Sequence, residues 1–436
     1  MKSVWNDGVE RVEFPSMNGD KKTDVLIIGG GMAGLLCAYM LKRNGVDCIL
    51  VEADRICGGV TGYTTAKITL QHGLIYRKIV SRFGWEKAEL YLKAQGEACN
   101  EYARLCREID CDYEIRDSLV YSTSDRWKIE SEIAALERLS ENAEFVSDLP
   151  IPVKVVGAVK IKDQAQFNPL KFAFKIAEDL PIHEHTKVRE ILPGGVLTNR
   201  GKIRAERIIV ATHFPLLNKH GGYFLKLYQH RSYVLALDGA GQANGMYVDE
   251  NEKGLSFRNY NDLLLLGGGS HRTGKNGGAY YDLQAFAGKF YPQADIFTKW
   301  ATQDCMTLDD LPYIGRYSRN TPDIFVATGF NKWGMSSSML SAMMLSDLVV
   351  DKQNDYAEVF SPSRSILHPK LALNACESIL GLITPTTPRC PHLGCALKYN
   401  SQEHTWDCPC HGSRFTDGGK LINNPATDDL KKHPKR

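Results

Sequence analysis

The amino-acid sequence predicts an α/β protein that ends in a small lobe rich in cysteine and histidine. Three observations carry this prediction. A glycine-rich loop lies between two apolar runs at 24–54, further apolar runs within 205–215 and 323–328 end in Ala-Thr, and four cysteines and three histidines fall within 390–413. Short apolar runs followed by helical periodicity are typical of buried parallel strands joined by helices. The first two observations therefore predict the sheet, and the third predicts the lobe.

Composition and charge exclude several classes of protein. The chain has 436 residues, of which 43% are hydrophobic and 24% charged, so we expect two or three globular units. A formal net charge of +2 offers no general attraction for nucleic acid. No apolar run approaches the roughly 20 residues of a membrane span, and the N-terminus lacks the layout of a secretory signal. We therefore expect a cytoplasmic protein with neither a nucleic-acid partner nor a membrane span.

The segment DVLIIGGGMAGLLCAYMLKRNGVDCILVEAD at 24–54 predicts a strand, a tight turn, a helix and a second strand. Val25–Ile28 is the first predicted strand, Leu35–Lys42 has helical spacing, and Cys48–Val51 is the second strand. This order of elements places a helix N-terminus at the carboxyl end of a buried strand, where a phosphate can bind.

Gly29, Gly31 and Gly34 give the spacing G-x-G-x-x-G within this turn. The first glycine makes the turn, the second lets the backbone approach a pyrophosphate, and the third lets helix and strand pack closely. Glu52 follows Gly34 by 18 residues and is placed to accept from a ribose hydroxyl. The motif in this context predicts a bound dinucleotide.

Later segments favour FAD over NAD as this dinucleotide. The loop GGVTGYTTAK at 58–67 can wrap phosphates and a ring system, and the helix that begins near 334–337 can direct its N-terminus to a flavin, where negative charge develops on reduction. The glycine-rich stretch 263–278 lacks the third glycine of a second dinucleotide site, which disfavours NAD(P)H as reductant. The additional residues predicted to contact FAD are Gly59, Thr61, Thr65, Ala211, Thr212, Gly329, Gly334 and Met335.

Near the C-terminus, Cys390-x-His392 and Cys408-x-x-His411 are separated by 15 residues. Two thiolates and two imidazoles suit zinc or a [2Fe–2S] cluster of mixed ligation. Zinc sites usually pair like ligands at close spacing, whereas each half here supplies one cysteine and one histidine. A Rieske centre requires this arrangement, since both thiolates bind one iron and both imidazoles the other. The spacing favours the Rieske cluster, with zinc and an unmetallated disulfide knot as alternatives.

The segments from about 24 to 350 resemble the glycine oxidase, sarcosine oxidase and D-amino acid oxidase group of FAD enzymes. The similarity includes NPLKFAFKIAEDLPIHEHTKV at 168–188 and DCMTLDDLPYIGRYS at 304–318, through which Gly315 joins the predicted FAD contacts. The resemblance implies a Rossmann-like FAD-binding domain of the D-amino acid oxidase and glutathione reductase type, interleaved with a mixed-sheet α+β substrate domain.

The C-terminal segment resembles the Rieske proteins of respiratory and photosynthetic cytochrome complexes, through C-x-H-L-G-C and C-P-C-H-G-S. The resemblance implies that Cys390 and Cys408 bind one iron, that His392 and His411 bind the other, and that a disulfide joins Cys395 to Cys410. Phe415 stands where the family commonly has a tyrosine that donates to a ligand sulfur. Because such hydrogen bonds raise the potential, we expect a centre below the top of the Rieske range.

These resemblances imply a division of the chain into three parts. We expect an FAD-dependent oxidoreductase over 1–365, a helix and linker over 366–389, and an abbreviated Rieske [2Fe–2S] domain, reduced to its cluster-binding lobe, over 390–436. Within the first part, the expected FAD segments are 22–84, 151–216 and 304–360, and the expected substrate segments are 85–150 and 217–303.

The combination implies a dehydrogenase that oxidises the C–N bond of an amino acid or N-methyl amine. Electrons would pass from FAD to the cluster and on to an external acceptor, either a protein or a quinone-like molecule. Gly267 stands where related oxidases have a lysine that assists reaction with oxygen, and His271 of the same stretch is retained, so oxygen is expected to be a poor acceptor. A pure electron carrier, or a structural or redox-sensing cluster, is the alternative.

Candidate catalytic residues follow from the needs of this chemistry. An arginine can bind a substrate carboxylate through two parallel hydrogen bonds, which suggests Arg231 or Arg258, although a solvated strand face is the favoured interpretation of both. His271 and Lys67 are candidates for polar groups beside the flavin. Cys305 lies where some sarcosine oxidases attach FAD covalently, but a buried thiol is the favoured interpretation.

Overall fold

Two large β-sheets and a small third sheet form the fold in the computed structural model of the chain, which describes residues 2–217, 220–385 and 388–431. Two residues of the predicted linker, 386–387, and the end of the predicted Rieske domain, 432–436, lie outside the described residues.

The strands and helices have the following bounds. The strands are β1 (Lys21–Ile28), β2 (Cys48–Val51), β3 (Lys67–Ile68), β4 (Glu114–Ser122), β5 (Ala143–Val146), β6 (Gly157–Gln166), β7 (Ile182–His183), β8 (Val188–Leu192), β9 (Gly195–Thr198), β10 (Lys202–Val210), β11 (Leu227–Asp238), β12 (Met246–Asp249), β13 (Ser256–Tyr260), β14 (Leu263–Arg272), β15 (Asp295–Thr307), β16 (Tyr313–Ser318), β17 (Thr321–Thr328), β18 (Lys398–Asn400), β19 (Thr405–Asp407), β20 (Arg414–Thr416) and β21 (Leu421–Asn423). The α-helices are α1 (Met32–Arg43), α2 (Tyr76–Phe83), α3 (Trp85–Cys106), α4 (Arg126–Arg138), α5 (Pro169–Ala177), α6 (Tyr223–Lys226), α7 (Ala279–Phe290), α8 (Gly334–Leu348) and α9 (Pro369–Ile383).

The first sheet has the order β16-β17-β10-β1-β2-β7, with β9 beside β10 and β8 beside β9. Its central strands β17, β10, β1 and β2 are parallel, as predicted. Strand β1 begins at Lys21 rather than Val25, because the backbone of its polar first half also pairs with β10. Helix α1 begins at Met32, earlier than the predicted Leu35, because the glycine turn that precedes it is tight.

Small residues allow close packing beside the first sheet. Helix α8 packs against α1 and α3, and four of its serines, Ser336, Ser337, Ser338 and Ser341, are buried in this contact region. The N-termini of α1 and α8 both lie at carboxyl ends of sheet strands, since α1 follows β1 and α8 follows β17. This edge of the sheet is the expected place for a nucleotide.

The second sheet has the order β15-β11-β14-β13-β12-β4-β6-β3, with β5 beside β6, and mixes parallel and antiparallel pairs. Strand β6, which lies in the expected FAD segment 151–216, also belongs to this sheet, beside strands from the expected substrate segments. The longest strands, β11 and β15, pair in an antiparallel register that places Ser232 opposite Thr302. The mixed second sheet confirms the predicted fold class.

Helix α9 leads into the C-terminal lobe, whose four short strands pair in the order β18-β19-β20-β21. The lobe has a small core of its own, formed by Cys390, Cys395, Leu397, Trp406, Cys408, Cys410, Phe415 and Ala426. In the part of the chain that the structure describes, every helix is too short or too polar to cross a membrane.

Candidate functional site

The glycine loop after β1 is shaped for the close approach of backbone to backbone. Gly29 has φ +111°, and a Cβ atom at this position would lie 2.6 Å from the carbonyl oxygen of Ala211. A Cβ atom on Gly34 would lie 1.9 Å from the carbonyl oxygen of Gly29. Helix α1 thus meets β1 at a distance that only glycine permits, which is the packing that a dinucleotide loop requires.

Two polar side chains complete this loop. Thr61 accepts a hydrogen bond from the Met32 amide at 3.0 Å, which links the second predicted phosphate loop to the start of α1. The carboxylate of Glu52 accepts from the amides of Gly30 at 2.7 Å and Asp54 at 2.9 Å. Burial raises the pKa of Glu52 although these bonds oppose it. Glu52 is therefore fixed at the end of β2, where the sequence predicts the ribose contact.

Replacing Gly34 with alanine should remove most of the bound flavin. The new methyl group would collide with the Gly29 carbonyl at 1.9 Å and push α1 away from the loop. The ratio of flavin to protein absorbance of the purified chain measures this loss. Gly96→Ala is the matched control, because that glycine lies in α3 with open space around its Cβ position and should keep full flavin content.

A cavity of ≈ 330 Å³ lies between the second sheet and two segments that the sequence predicts to contact FAD. Its walls are the loop Thr64–Lys67 and the segment Asn331–Met335 at the start of α8, and its floor comes from β11, β14 and β15. Among the residues predicted from the sequence, the cavity is lined by Thr65, Lys67, Gly334 and Met335. The structure therefore brings together the two distant segments that were predicted to face the flavin ring.

Lys67 lines the cavity and has a pKa well below that of an ordinary lysine. Its ammonium donates to the hydroxyl of Thr65 at 3.0 Å. Burial, assisted by the positive charge of Arg258, lowers the pKa of Lys67 to about 7. A lysine near neutrality can exchange a proton with a bound molecule, which the usual lysine with a pKa above 10 does poorly.

The cavity also holds a polar chain that sequence reasoning missed. The Lys332 ammonium donates to Ser270 at 3.3 Å, Ser270 and Ser232 share a hydrogen bond of 3.1 Å, and Ser232 donates to Asp304 at 3.4 Å. Burial raises the pKa of Asp304. These four side chains come from β11, β14, β15 and the turn before α8, so no local sequence pattern groups them.

The turn that carries Lys332 is held in an uncommon conformation. Asn331 has φ +51° and Lys332 has φ +72°, backbone angles that residues other than glycine rarely adopt. The Asn331 amide donates to the Gly329 carbonyl at 2.7 Å, and its oxygen accepts from the Thr307 amide at 2.7 Å. Such strain persists where the surroundings fix it, frequently at binding sites. The turn thereby presents Lys332 at the cavity wall.

The predicted substrate arginines lie elsewhere. Arg231 and Arg258 are 3% and 1% exposed, so the expectation of solvated strand faces is wrong. Arg231 forms a buried ion pair with Glu403 of the C-terminal lobe, away from the cavity lining. Arg258 donates to the carbonyls of Thr65 at 2.7 Å and Ala66 at 2.8 Å and so supports the cavity loop from behind.

His271 and Cys305 also lie outside the cavity lining. His271 stacks on Tyr233 with ring centroids 5.7 Å apart, and its Nε2 atom is 3.0 Å from the Tyr233 hydroxyl. Because Tyr233 lines the cavity, His271 backs one wall rather than facing the interior. The Cys305 sulfur lies 3.7 Å from the Thr328 hydroxyl, and burial raises the pKa of its thiol to about 12. A covalent flavin link at Cys305 stays a prediction.

The remaining predicted FAD contacts are distributed around the same edge of the first sheet. Gly59 precedes a short 3-10 helix at Val60–Tyr63, Ala211 and Thr212 follow β10, and Gly329 follows β17 with φ +71°. Gly315 lies within β16 with φ +140°. Their individual roles in binding FAD stay predictions.

The four predicted iron ligands come from two loops that meet at one end of the lobe. Cys390, Cys408 and His411 are at most 2% exposed, and His392 is partly exposed. The two imidazole rings lie 4.9 Å apart between centroids, nearly perpendicular. The pKa of Cys390 is raised mainly by a hydrogen bond with the Cys408 thiol and secondly by burial, so the two sulfurs are neighbours. The structure thus brings the thiols together and the imidazoles together.

These residues fit an iron–sulfur cluster. Within the described residues, neither ring nitrogen of the buried His411 meets the geometry of a hydrogen bond, an arrangement that is costly unless a metal takes a nitrogen lone pair. Burial lowers the pKa of His411 to about 4, which keeps its imidazole neutral as a ligand must be. The lobe therefore offers two thiols and two neutral imidazoles, the donor set of a Rieske centre.

The predicted disulfide partners Cys395 and Cys410 lie beside the cluster loops. Their sulfurs and that of Cys408 all lie within 4.8 Å of one another. Gly381 of α9 packs directly on this pair, since a Cβ atom there would lie 2.5 Å from the Cys410 sulfur. The bond between Cys395 and Cys410 stays a prediction. His404, which lies outside both ligand motifs, is exposed.

Two glutamines fasten the cluster loop to the second sheet. The Gln229 side chain of β11 donates to the His411 carbonyl at 2.8 Å, and the Gln303 side chain of β15 donates to the Gly412 carbonyl at 2.8 Å. The ring of Phe214, just beyond β10, lies 6.3 Å from the His392 ring and 6.4 Å from the His411 ring. The predicted cluster ligands therefore lie beside the segment after β10, in which the sequence predicts FAD contacts at Ala211 and Thr212.

A buried network of charges forms the centre of the lobe contact. The Glu403 carboxylate accepts from both Arg231 and the Tyr233 hydroxyl, the latter at 3.1 Å, and pairs with Arg414 at 3.0 Å. Burial alone would raise the pKa of Glu403, but the two arginines outweigh it and hold the pKa below its usual range. Arg414 is also paired with Asp407 at 3.0 Å within the lobe.

Comparison with known families agrees with both halves of this description. Residues 24–348 match the model of the FAD dependent oxidoreductase (DAO) family, and residues 349–434 match the model of the Rieske [2Fe-2S] domain. These matches confirm FAD and a [2Fe–2S] cluster as the cofactors, in agreement with the donor sets above.

Individual proteins are similar to this chain in sequence or in fold. A Bacillus subtilis protein, YhfW, named as a Rieske 2Fe-2S iron-sulfur protein, is 34% identical over 99% of this chain and 97% of its own length. The γ-glutamylputrescine oxidoreductase of Escherichia coli is 24% identical over 47% of this chain and 52% of its own length. The crystal structure of glycine oxidase from Geobacillus kaustophilus has a TM-score of 0.66 at 19% identity, over 79% of this chain and all of its own length.

Proposed function

Because the chain belongs to the FAD dependent oxidoreductase (DAO) family and carries a Rieske [2Fe-2S] domain, we propose that it is a dehydrogenase of amino acids or N-methyl amines. The C–N bond is oxidised to an imine, which water hydrolyses. When bound, FAD supplies the two-electron acceptor, and the cluster passes electrons singly to an external acceptor, a protein or a quinone-like molecule.

One observation carries this proposal: the substrate cavity and the cluster lobe share strand β11. Ser232 and Tyr233 of this strand line the cavity. Gln229 and Arg231 of the same strand bind the lobe. A rigid strand fixes both sites relative to each other, and this suits a protein that removes electrons at one site and exports them at the other.

The cavity offers complementary charges to a small amine or amino acid. Asp304 can accept hydrogen bonds from a substrate ammonium, and Lys332, at the other end of the serine pair, can bind a carboxylate. Lys67 can take up a proton as the amine is oxidised. The names of the two relatives, glycine oxidase and γ-glutamylputrescine oxidoreductase, support an amine or amino-acid substrate.

Gly267 supports the proposal that oxygen is a poor acceptor. It lines the cavity, and a Cβ atom there would lie 2.5 Å from the Ser256 hydroxyl oxygen. Because glycine has no side chain, the ammonium of the lysine that assists oxygen in related oxidases is absent from this part of the cavity. Electrons would therefore leave mainly through the cluster.

Anaerobic mixing of the purified protein with glycine, D-amino acids, L-amino acids and N-methyl amines tests the proposal. Bleaching of the flavin band by one of these compounds, followed by appearance of the reduced cluster signal, is the expected result. A flavin that no amine bleaches, but that a partner reductase reduces rapidly, would instead identify an electron carrier without a small amine substrate.

The rate of flavin reduction should rise with pH through an apparent pKa near 7. The pKa of Lys67 is lowered in the folded protein, so its amine is neutral above about pH 7 and can accept a proton there, whereas below that pH it is cationic. Stopped-flow reduction at saturating substrate gives the profile. Lys67→Met should remove the limb near pH 7, and Lys78→Met, which also changes a cavity lysine, should keep it. A limb that survives in Lys67→Met would contradict this assignment.

A further inference from the structure

Helix α9 is amphipathic in the inverted sense: its polar side faces the protein and its apolar side faces solvent. On the inner side, Asn374 is 3% exposed and its side-chain oxygen accepts from Arg272 at 2.7 Å. Gly381 packs on Cys410. On the outer side, five large apolar side chains are 50–69% exposed, namely Leu373, Ile379, Leu380, Leu382 and Ile383.

The outer residues follow the spacing of a helix-packing seam. Leu373, Cys376, Leu380 and Ile383 recur at intervals of three, four and three residues, which places them in one row along the helix. Cys376 is exposed within this row. A row with this period is complementary to a second helix, because each side chain can enter the space between side chains of the facing helix.

The exposed area is that of a protein interface. Leu367 before α9 is 81% exposed and Leu393, in the cluster loop beside its C-terminal end, is 40% exposed. With the five outer side chains of α9 they expose on the order of 700 Å², near the roughly 800 Å² that each partner of a stable complex buries. Apolar patches on monomers are usually smaller, at about 300–600 Å².

Charge argues against a lipid surface as the occupant. Between residues 371 and 383 the only charged residue is Glu377, which is paired with Lys275 at 2.7 Å. Helices that lie in a membrane interface carry Lys and Arg on a solvent-facing polar side, whereas the polar side of α9 is packed against the protein. A surface without charges, of dimer size and with helix periodicity, is suited to self-association.

We propose that the outer face of α9 is the interface of a homodimer, in which α9 of one chain packs against α9 of a second copy. The face is self-complementary, so a two-fold axis can bury both copies of the row at once. The dimer would cover Leu380 and Cys376 and would lie beside the cluster loops, since Gly381 of the same helix contacts Cys410.

Sedimentation velocity of the cofactor-loaded full chain over a range of concentrations tests the proposal. The expected species is a dimer, which Leu380→Glu converts to a monomer of unchanged flavin absorbance and cluster signal. Alkylation of Cys376 by N-ethylmaleimide should be at least about tenfold faster in that variant, because the thiol is no longer covered. Ile115→Glu is the matched control: Ile115 is 60% exposed on β4, and the variant should remain dimeric.

Three results would overturn the proposal. One is a wild-type protein that is monomeric throughout, with Cys376 alkylated as fast as in Leu380→Glu. Another is a monomer that binds phosphatidylcholine vesicles through α9, which would assign the face to a lipid surface. The third is a dimer that survives Leu380→Glu, which would place the interface elsewhere.

Discussion

Replacing His411 with alanine should abolish the low-g signal that the reduced protein gives in electron paramagnetic resonance, while substrate still bleaches the flavin. Both imidazoles are needed to hold the second iron of a Rieske cluster. His411 is 1% exposed and, within the described residues, neither of its ring nitrogens meets the geometry of a hydrogen bond, so its imidazole is available to a metal.

The His411→Ala change should affect the cluster and leave the reaction at the flavin unchanged. Iron content should fall from two atoms per chain toward zero, and turnover with a one-electron acceptor should drop by more than the roughly 10–100-fold that changes to residues around metal ligands cause. The rate of flavin bleaching should stay near the wild-type value, because His411 is not among the residues that line the cavity. Iron analysis, spin-resonance spectra and stopped-flow absorbance measure the three quantities.

His404→Ala is the matched control, since this histidine lies in the same lobe but is exposed and outside the motif. It should retain iron, signal and turnover. A wild-type lobe that contains zinc, or a His411→Ala protein with full iron content, would contradict the ligand assignment.

Replacing Glu403 with alanine should loosen the contact between the lobe and the second sheet. The change leaves the Arg231 guanidinium buried at 3% exposure without its carboxylate, and breaking a buried ion pair in this way costs about 3–5 kcal/mol. Arg414 keeps Asp407 as a partner, so the interior of the lobe should survive. We expect the lobe to remain folded but to be held less tightly against the second sheet.

Limited proteolysis near the linker, together with thermal unfolding, measures this loosening. Cleavage between 384 and 389 should become faster, and cluster reduction after flavin bleaching should slow, whereas flavin bleaching itself should keep its rate. Arg231→Met combined with Glu403→Met should recover much of the docking, because an apolar pair of similar volume removes both buried charges.

Glu358→Gln provides the comparison for a surface pair. Its partner is Lys87 at 2.7 Å and Glu358 is 79% exposed, so its loss should leave proteolysis and unfolding unchanged. If Glu403→Ala behaved like Glu358→Gln, Arg231 would not be a docking residue.

The sequence was sufficient to predict those sites whose residues lie close together along the chain. The spacing of Gly29, Gly31 and Gly34 predicts the dinucleotide loop, since turn, helix start and close packing are local demands. The pairs Cys390-x-His392 and Cys408-x-x-His411 predict the cluster for the same reason, because each short loop must supply both kinds of ligand.

Residues that act through long-range contacts were less accessible. Arg231 was a candidate for binding substrate, yet its partner Glu403 lies 172 residues later and binds it at the lobe contact. No sequence pattern links Asp304 to Lys332, and the two are connected at the cavity through Ser232 and Ser270 because β11, β14, β15 and the turn before α8 converge there. Their spacing in sequence holds no period that could reveal the contact.

By itself the sequence determined the family and the two cofactors and predicted the cluster ligands, because short-range covalent spacing decides whether backbone and side chains can surround a phosphate or an iron. Only the tertiary structure decided which face of β11 meets the cavity and which side of α9 meets solvent. Packing between distant segments sets those orientations, and a charged or apolar residue gains its role from the partner that the fold places beside it.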